Sequence, residues 1–134
     1  MSVSAELQKL IFDRLKSASA VTAFVGNRIY DNVPPNADFP YISFGSHDFV
    51  PDDADCIFSG EHTFLLNVWS RKPGRVEAKQ IVDEVRRALR RYDADMGAYG
   101  LLEMDIDFAD VIMDGDGLTA RGRVQIRALI EEPE

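Results

Sequence analysis

A chain of 134 residues, 46% apolar and 28% charged, is long enough for one hydrophobic core and too short for two. Its 15 basic residues are outnumbered by 23 acidic ones, and the net charge of −8 argues against a groove that grips duplex nucleic acid. Cys56 is the only cysteine, which excludes an internal disulfide and a cysteine-based zinc site, and no apolar run reaches membrane-spanning length. With Glu6 and Asp13 inside the first apolar stretch, the chain reads as soluble, without a signal peptide and without a membrane partner.

Leu7, Leu10, Ile11 and Leu15 recur at helical spacing behind Ser4 as N-cap, which predicts an amphipathic helix of about three to four turns. A second short helix follows over Ala20–Val25, burying Val21, Phe24 and Val25 and stopping at Gly26-Asn27. Arg28–Asp31 is a brief strand, halted by Pro34-Pro35, and Pro40–Gly45 begins the next. From 45 to 60 the alternation loosens around Asp52, Asp53 and Asp55, and the segment reads as a long, exposed acidic loop. His62–Ser70 resumes as a strand with apolar residues on both faces. Pro73-Gly74 opens a long helix with Ala78, Ile81, Val82, Val85, Ala88, Leu89 and Tyr92 on its buried stripe.

The last two strands form a ribbon. Leu102, Met104, Ile106 and Phe108 alternate with Glu103, Asp105 and Asp107 on the way out. On the return, Val124, Ile126, Ala128 and Ile130 alternate with Arg121, Arg123, Gln125 and Arg127. Asp114-Gly115-Asp116-Gly117 is the turn between them. A plain even turn would set odd positions opposite even ones and place Phe108 among arginines. Pairing of the acidic and basic faces therefore requires an odd-length loop, or a bulge near Ala109–Val111. Strands joined by short turns with two main helices predict an α+β fold: an antiparallel or mixed sheet of about four to five strands, helices on one face.

No catalytic constellation emerges, and neither metal nor cofactor is expected. The Asp114–Gly117 turn resembles the start of a calcium loop, but position 125 is Gln where a bidentate Glu belongs. Asp52, Asp53 and Asp55 lack a companion ligand at metal spacing and read as a solvated charge run. Gln125-Ile126-Arg127 only approximates a nuclease acid–any–lysine signature, and Arg71–Gly74 lacks the spacing of a phosphate loop. His47 and His62 read as strand-end or surface histidines outside any nucleophile–base arrangement. The arginines of the long helix read as a solvated face before a nucleic-acid patch, given the acidic total. Trp69 has two readings, core residue or anchor at an oligomer interface.

Several segments in one order carry a resemblance: Arg28–Asp31 with Val33-Pro34, Phe39–Gly45, His62–Phe64 running to Val68–Ser70, Gly74 with its helix, and Asp116–Thr119 leading into Arg127-Ala128. In these the chain resembles the tail completion, or tail terminator, family of long-tailed phages and gene transfer agents. The resemblance implies one tail-terminator-like domain over 1–134, a structural virion component and not an enzyme. It would be assembled in the bacterial cytoplasm and located in the tail or neck. Its partners would be further copies of itself in a hexameric ring, the tail tube protein and a head-neck connector, with DNA crossing the ring without sequence-specific binding. In such a ring Phe49, Asp52, Asp53, Asp55, Trp69, Arg121, Arg123 and Arg127 are candidates for the subunit or tube interface, and Glu103, Asp105 and Asp107 for the channel. The competing expectation is a protein-binding adaptor of similar α+β build outside any phage.

Overall fold

The computed structural model describes residues 2–54 and 57–133. Helix α1 (Val3–Ser17) and the short α2 (Ser19–Val25) are followed by β1 (Ile29–Tyr30), β2 (Tyr41–Pro51), β3 (Phe58–Ser70), α3 (Val76–Leu89), β4 (Gly100–Met113) and β5 (Ala120–Glu132). The first helix starts earlier than the sequence suggests: Ser2, in extended conformation, accepts the Ala5 N–H and is the N-cap, so Ser4 lies inside the first turn. Leu7, Ile11 and Leu15 are its buried stripe, and full burial of each stabilises the fold by roughly 2 kcal/mol. Gly26, with φ 56°, ends α2 by donating to the Thr22 carbonyl.

The five strands form one mixed sheet in the order β1-β2-β3-β5-β4, antiparallel except for the β1–β2 pair. Helix α3 lies across β3, β5 and β4, and α1 and α2 pack against α3, so the helices form one layer. The predicted α3 stripe is buried from Ala78 to Leu89, while Tyr92 falls beyond the helix end. On β5 every second residue from Ala120 to Ile130 is buried and the intervening ones are half-buried, as expected for a central strand with one covered face. At Gly122 the helix packs tightly on the sheet: a Cβ there would stand 2.4 Å from Val82 Cγ2. Among the described residues no helix is long and apolar enough to cross a membrane.

The segment 45–60 is not a long loop. Strand β2 continues to Pro51 and β3 begins at Phe58, so most of it is a hairpin arm whose turn carries the aspartates. A bulge between Phe44 and His47 shifts the alternation there, which is why the strand pattern looked lost. Asp55 and Cys56 lie outside the described residues.

Arg28 ties the helical layer to the sheet. Its Nε donates to the Pro40 carbonyl at 2.9 Å and its Nη2 to the Phe24 carbonyl at 3.1 Å, joining α2 to the entry of β2. Arg28→Ala is expected to cost about 2 kcal/mol, because two carbonyls lose a charged donor. Arg28→Lys is expected to recover less than half, since an ammonium cannot fork between two acceptors. Urea unfolding of the three proteins checks this.

Candidate functional site

Helices cover one face of the sheet, and the other face is open. Strand alternation sets on it Tyr41 and Ser43 from β2, Glu61, Thr63, Leu65, Asn67 and Trp69 from β3, Arg121, Arg123, Gln125 and Arg127 from β5, and Glu103, Asp105, Phe108 and Asp110 from β4. The face is thus a field of charges in rows, acidic along β4 and basic along β5.

The rows are matched inside the subunit, and the register explains how. Met113 pairs with Ala120, so residues 114–119 form an even loop, and next to it Asp110 faces Arg123 and Ala109 faces Val124. The register then slips between Ile106 and Phe108, and beyond the slip Asp105 faces Arg127 and Ile106 faces Ile126. The bulge required by parity therefore exists, but it lies before Ala109–Val111, at Asp107. It moves Phe108, which is 49% exposed, onto the open face, where the Arg123 guanidinium lies 6.0 Å from its ring centroid. A second slip between Leu101 and Glu103 leaves Leu102 exposed as well. Of the apolar set expected on this strand, only Met104 and Ile106 face the core.

Arg123 grips Asp110 with both ends of its fork, Nε to Oδ1 at 2.8 Å and Nη2 to Oδ2. This hydrogen bond from Arg123 holds the Asp110 carboxyl below its ordinary pKa and raises that of the guanidinium in turn. Arg127 reaches Glu103 at 3.4 Å and Glu61 at 4.0 Å, and Gln125 donates to Asp107 at 3.3 Å. Asp105 accepts the N–H of Ile106. Arg121 donates to Asn67 Oδ1 at 2.9 Å and stands 5.2 Å from the Trp69 ring centroid. Trp69 itself is half-buried and donates through Nε1 to Ser43 Oγ at 2.9 Å, so it closes the lower end of the open face. Thus Trp69, Arg121, Arg123 and Arg127 are brought together with Glu103, Asp105 and Asp107 on one surface.

Phe49, Asp52 and Asp53 lie apart from them, at the end of the hairpin arm. Phe49 covers Gly60, where a Cβ would meet its Cε1 at 2.1 Å. The ring is still 44% exposed, and Val50, Ile57 and Phe58 beside it are 61%, 46% and 47% exposed. Asp53 accepts the Ser59 N–H at 3.1 Å, which pins the turn and leaves both aspartates on the surface. The apolar pairs Phe49-Val50 and Ile57-Phe58 flanking the aspartates are the sequence signal for this arm.

In the ribbon turn an aspartate is held by the turn's own donors. Asp116 accepts from the N–H groups of Leu118 and Thr119 and from the Thr119 hydroxyl, and these bonds keep its carboxyl below the usual range. Both oxygens are committed to the turn itself.

The histidines, expected at strand ends or on the surface, instead form a pair within the sheet. His47 on β2 and His62 on β3 lie on the covered face, with Nε2 of the first and Nδ1 of the second 2.9 Å apart. Their rings stack at 5.1 Å between Phe49 and Phe64. His62 is 1% exposed, and among the described residues its Nε2 has no hydrogen-bond partner. Burial, reinforced by His47, pushes its pKa down to about 4. The bulge in β2 turned His47 inward, which alternation read from Pro40 could not show.

The family model described as Tail completion protein gp17 matches residues 9–131. The tail completion protein gp17 of Bacillus phage SPP1 is 26% identical over 127 residues, covering 95% of this chain and 93% of that protein. Among solved structures, a chain in the virion of a native gene transfer agent particle matches with a TM-score of 0.90 at 24% identity, over 97% of this chain and 98% of that one. The structure of bacteriophage SPP1 gp17 matches with a TM-score of 0.60 at 24% identity, over 93% and 88%. The two solved structures share its fold.

Proposed function

Because the chain belongs to the tail completion protein gp17 family, we propose that it closes the tail tube of a phage or gene transfer agent as a hexameric ring and joins it to the head-neck connector. The observation that carries this reading is the family match along nearly the whole chain. The role is mechanical, so the chemistry that matters is surface charge and shape. A ring of six such subunits would carry about six times −8, and like-charge repulsion would keep the exiting genome from sticking to it. In this arrangement the open sheet face lines the hole, with Glu103, Asp105 and Asp107 toward the DNA, and the whole chain serves as one tail-terminator domain. The ring is added in the bacterial cytoplasm and stays in the neck of the particle.

Removing the chain from the producing cell tests the role. Tubes of irregular length and heads without tails are expected in electron micrographs, restored to normal by the chain supplied in trans; particles of normal length and attachment without it would refute the reading. The channel assignment has its own test. Glu103→Gln with Asp105→Asn and Asp107→Asn is expected to leave particles intact and slow DNA release several-fold, roughly, as an acidic lining loses its repulsion. Unchanged release kinetics would place these carboxylates elsewhere.

A further inference from the structure

The two flanks of the sheet are unlike. On the β2 side, β1 covers only Ile42 and Ser43, and the strand runs on into the arm that ends in Phe49, Val50, Asp52 and Asp53. On the opposite side α3 runs beside β4, leaving a groove of about 260 Å³ whose apolar floor is Val82, Ala109 and Val111. Lys79 and Arg86 line the same groove. Its two carboxylates are already engaged inside the subunit, Asp83 by Arg86 at 3.1 Å and Asp110 by Arg123. Among the described residues Lys79 has no carboxylate within ion-pair distance, which leaves a positive site on an acidic chain.

We infer that the end of the arm, Phe49–Asp53, seats in the α3–β4 groove of the neighbouring subunit, apolar residues on the groove floor and aspartates against Lys79 and Arg86. The inference rests on the ring reading above. Knob and groove are different surfaces on opposite flanks of one sheet, the condition for a heterologous contact that repeats around a closed ring. Charge also selects the level of contact. Phe49 pairs with His62, His62 with Ala128 and Ala128 with Met104, so the arm stands level with Glu103 and Asp105 of β4. Side-by-side packing at that level sets acid on acid. The cationic groove lies at Ala109–Val111, roughly 20 Å further along the strand at the usual rise per residue. The seat is made by side chains: the bulges of β4 interrupt its outer edge and disfavour strand addition there.

A photo-reactive benzoylphenylalanine at Phe49, in the full chain assembled into particles, tests the inference. Cross-links from one copy into the stretches Lys79–Arg86 or Ala109–Val111 of another are expected. Cross-links to other parts of a second copy, or to another virion protein, would overturn the seat and leave the ring reading standing. Particles in which this chain is present singly would overturn both. Lys79→Glu with Arg86→Glu is expected to cut incorporation into particles roughly tenfold, and Asp52→Lys with Asp53→Lys added is expected to restore it to within about threefold. Incorporation unaffected by the first pair would also overturn the seat.

Discussion

Gly122→Val is expected to destabilise the protein by about 3 kcal/mol, near the upper end of what overpacking a core costs. For a chain of this length that lowers the thermal midpoint by roughly 10 °C. The reason is the contact between α3 and the centre of the sheet. A Cβ at position 122 would lie 2.4 Å from Val82 Cγ2 and 3.2 Å from Val68 Cβ, with helix on one side and strand on the other. Neither can yield without moving the helix off β5, where every second residue from Ala120 to Ile130 is buried. Gly122→Ala in a Val82→Ala background isolates the clash, because Val82→Ala removes the obstructing methyl. The double variant is expected to be less destabilised than the sum of the two single changes, with a coupling of about 1 kcal/mol or more. Strict additivity in calorimetry would show that the helix approach is not what requires glycine here.

Acid is expected to unfold the protein through the histidine pair. His62 takes up its proton at about 4 in the folded chain and near 6.5 when unfolded. Between these values the unfolded chain binds the additional proton, so stability rises with pH across the window and is lost as pH falls from 6.5 toward 4. The full shift corresponds to at most about 3 kcal/mol. Below pH 4 both states are protonated and this contribution changes no further. Asp48 and Glu61, the nearest carboxylates along the two strands, point to the opposite face and cannot compensate a proton on His62. His62→Leu removes the titration and a buried nitrogen without a partner among the described residues, at the loss of the contact with His47. Its stability in urea is expected to be nearly the same at pH 5 and pH 7 relative to the parent's decline. Parallel pH slopes for the two proteins would show that the pair does not govern acid sensitivity.

Much of the fold was legible because the elements repeat their period without interruption. The α3 stripe from Ala78 to Leu89 and the β5 alternation from Val124 to Ile130 are buried as read. What could not be read are the places where a strand slips. One extra residue reverses every side chain beyond it. Slips at Phe44/His47, Leu101/Glu103 and Ile106/Phe108 account for the hidden arm, the inward His47 and the outward Leu102 and Phe108. The candidate surface was legible as chemistry and not as geometry. Acidic and basic rows were visible in the alternation, but Asp110, the carboxylate that Arg123 takes, sits beyond the slip and outside the odd-numbered acidic set. Arg28 shows a further limit. Its two acceptors are main-chain carbonyls, and a carbonyl leaves no mark in a sequence.

The outer edge of β4 bears on the life of the subunit before it meets a partner. A strand of fourteen residues at the border of a sheet is ordinarily an invitation to other strands. Here it is broken twice by slips, and Asp105 occupies the N–H of Ile106 with its own side chain. A family member that assembles with other virion proteins must survive crowding with its own copies without fibrils or premature stacks. The irregular border gives it shelf life, and leaves recognition to the side chains around it.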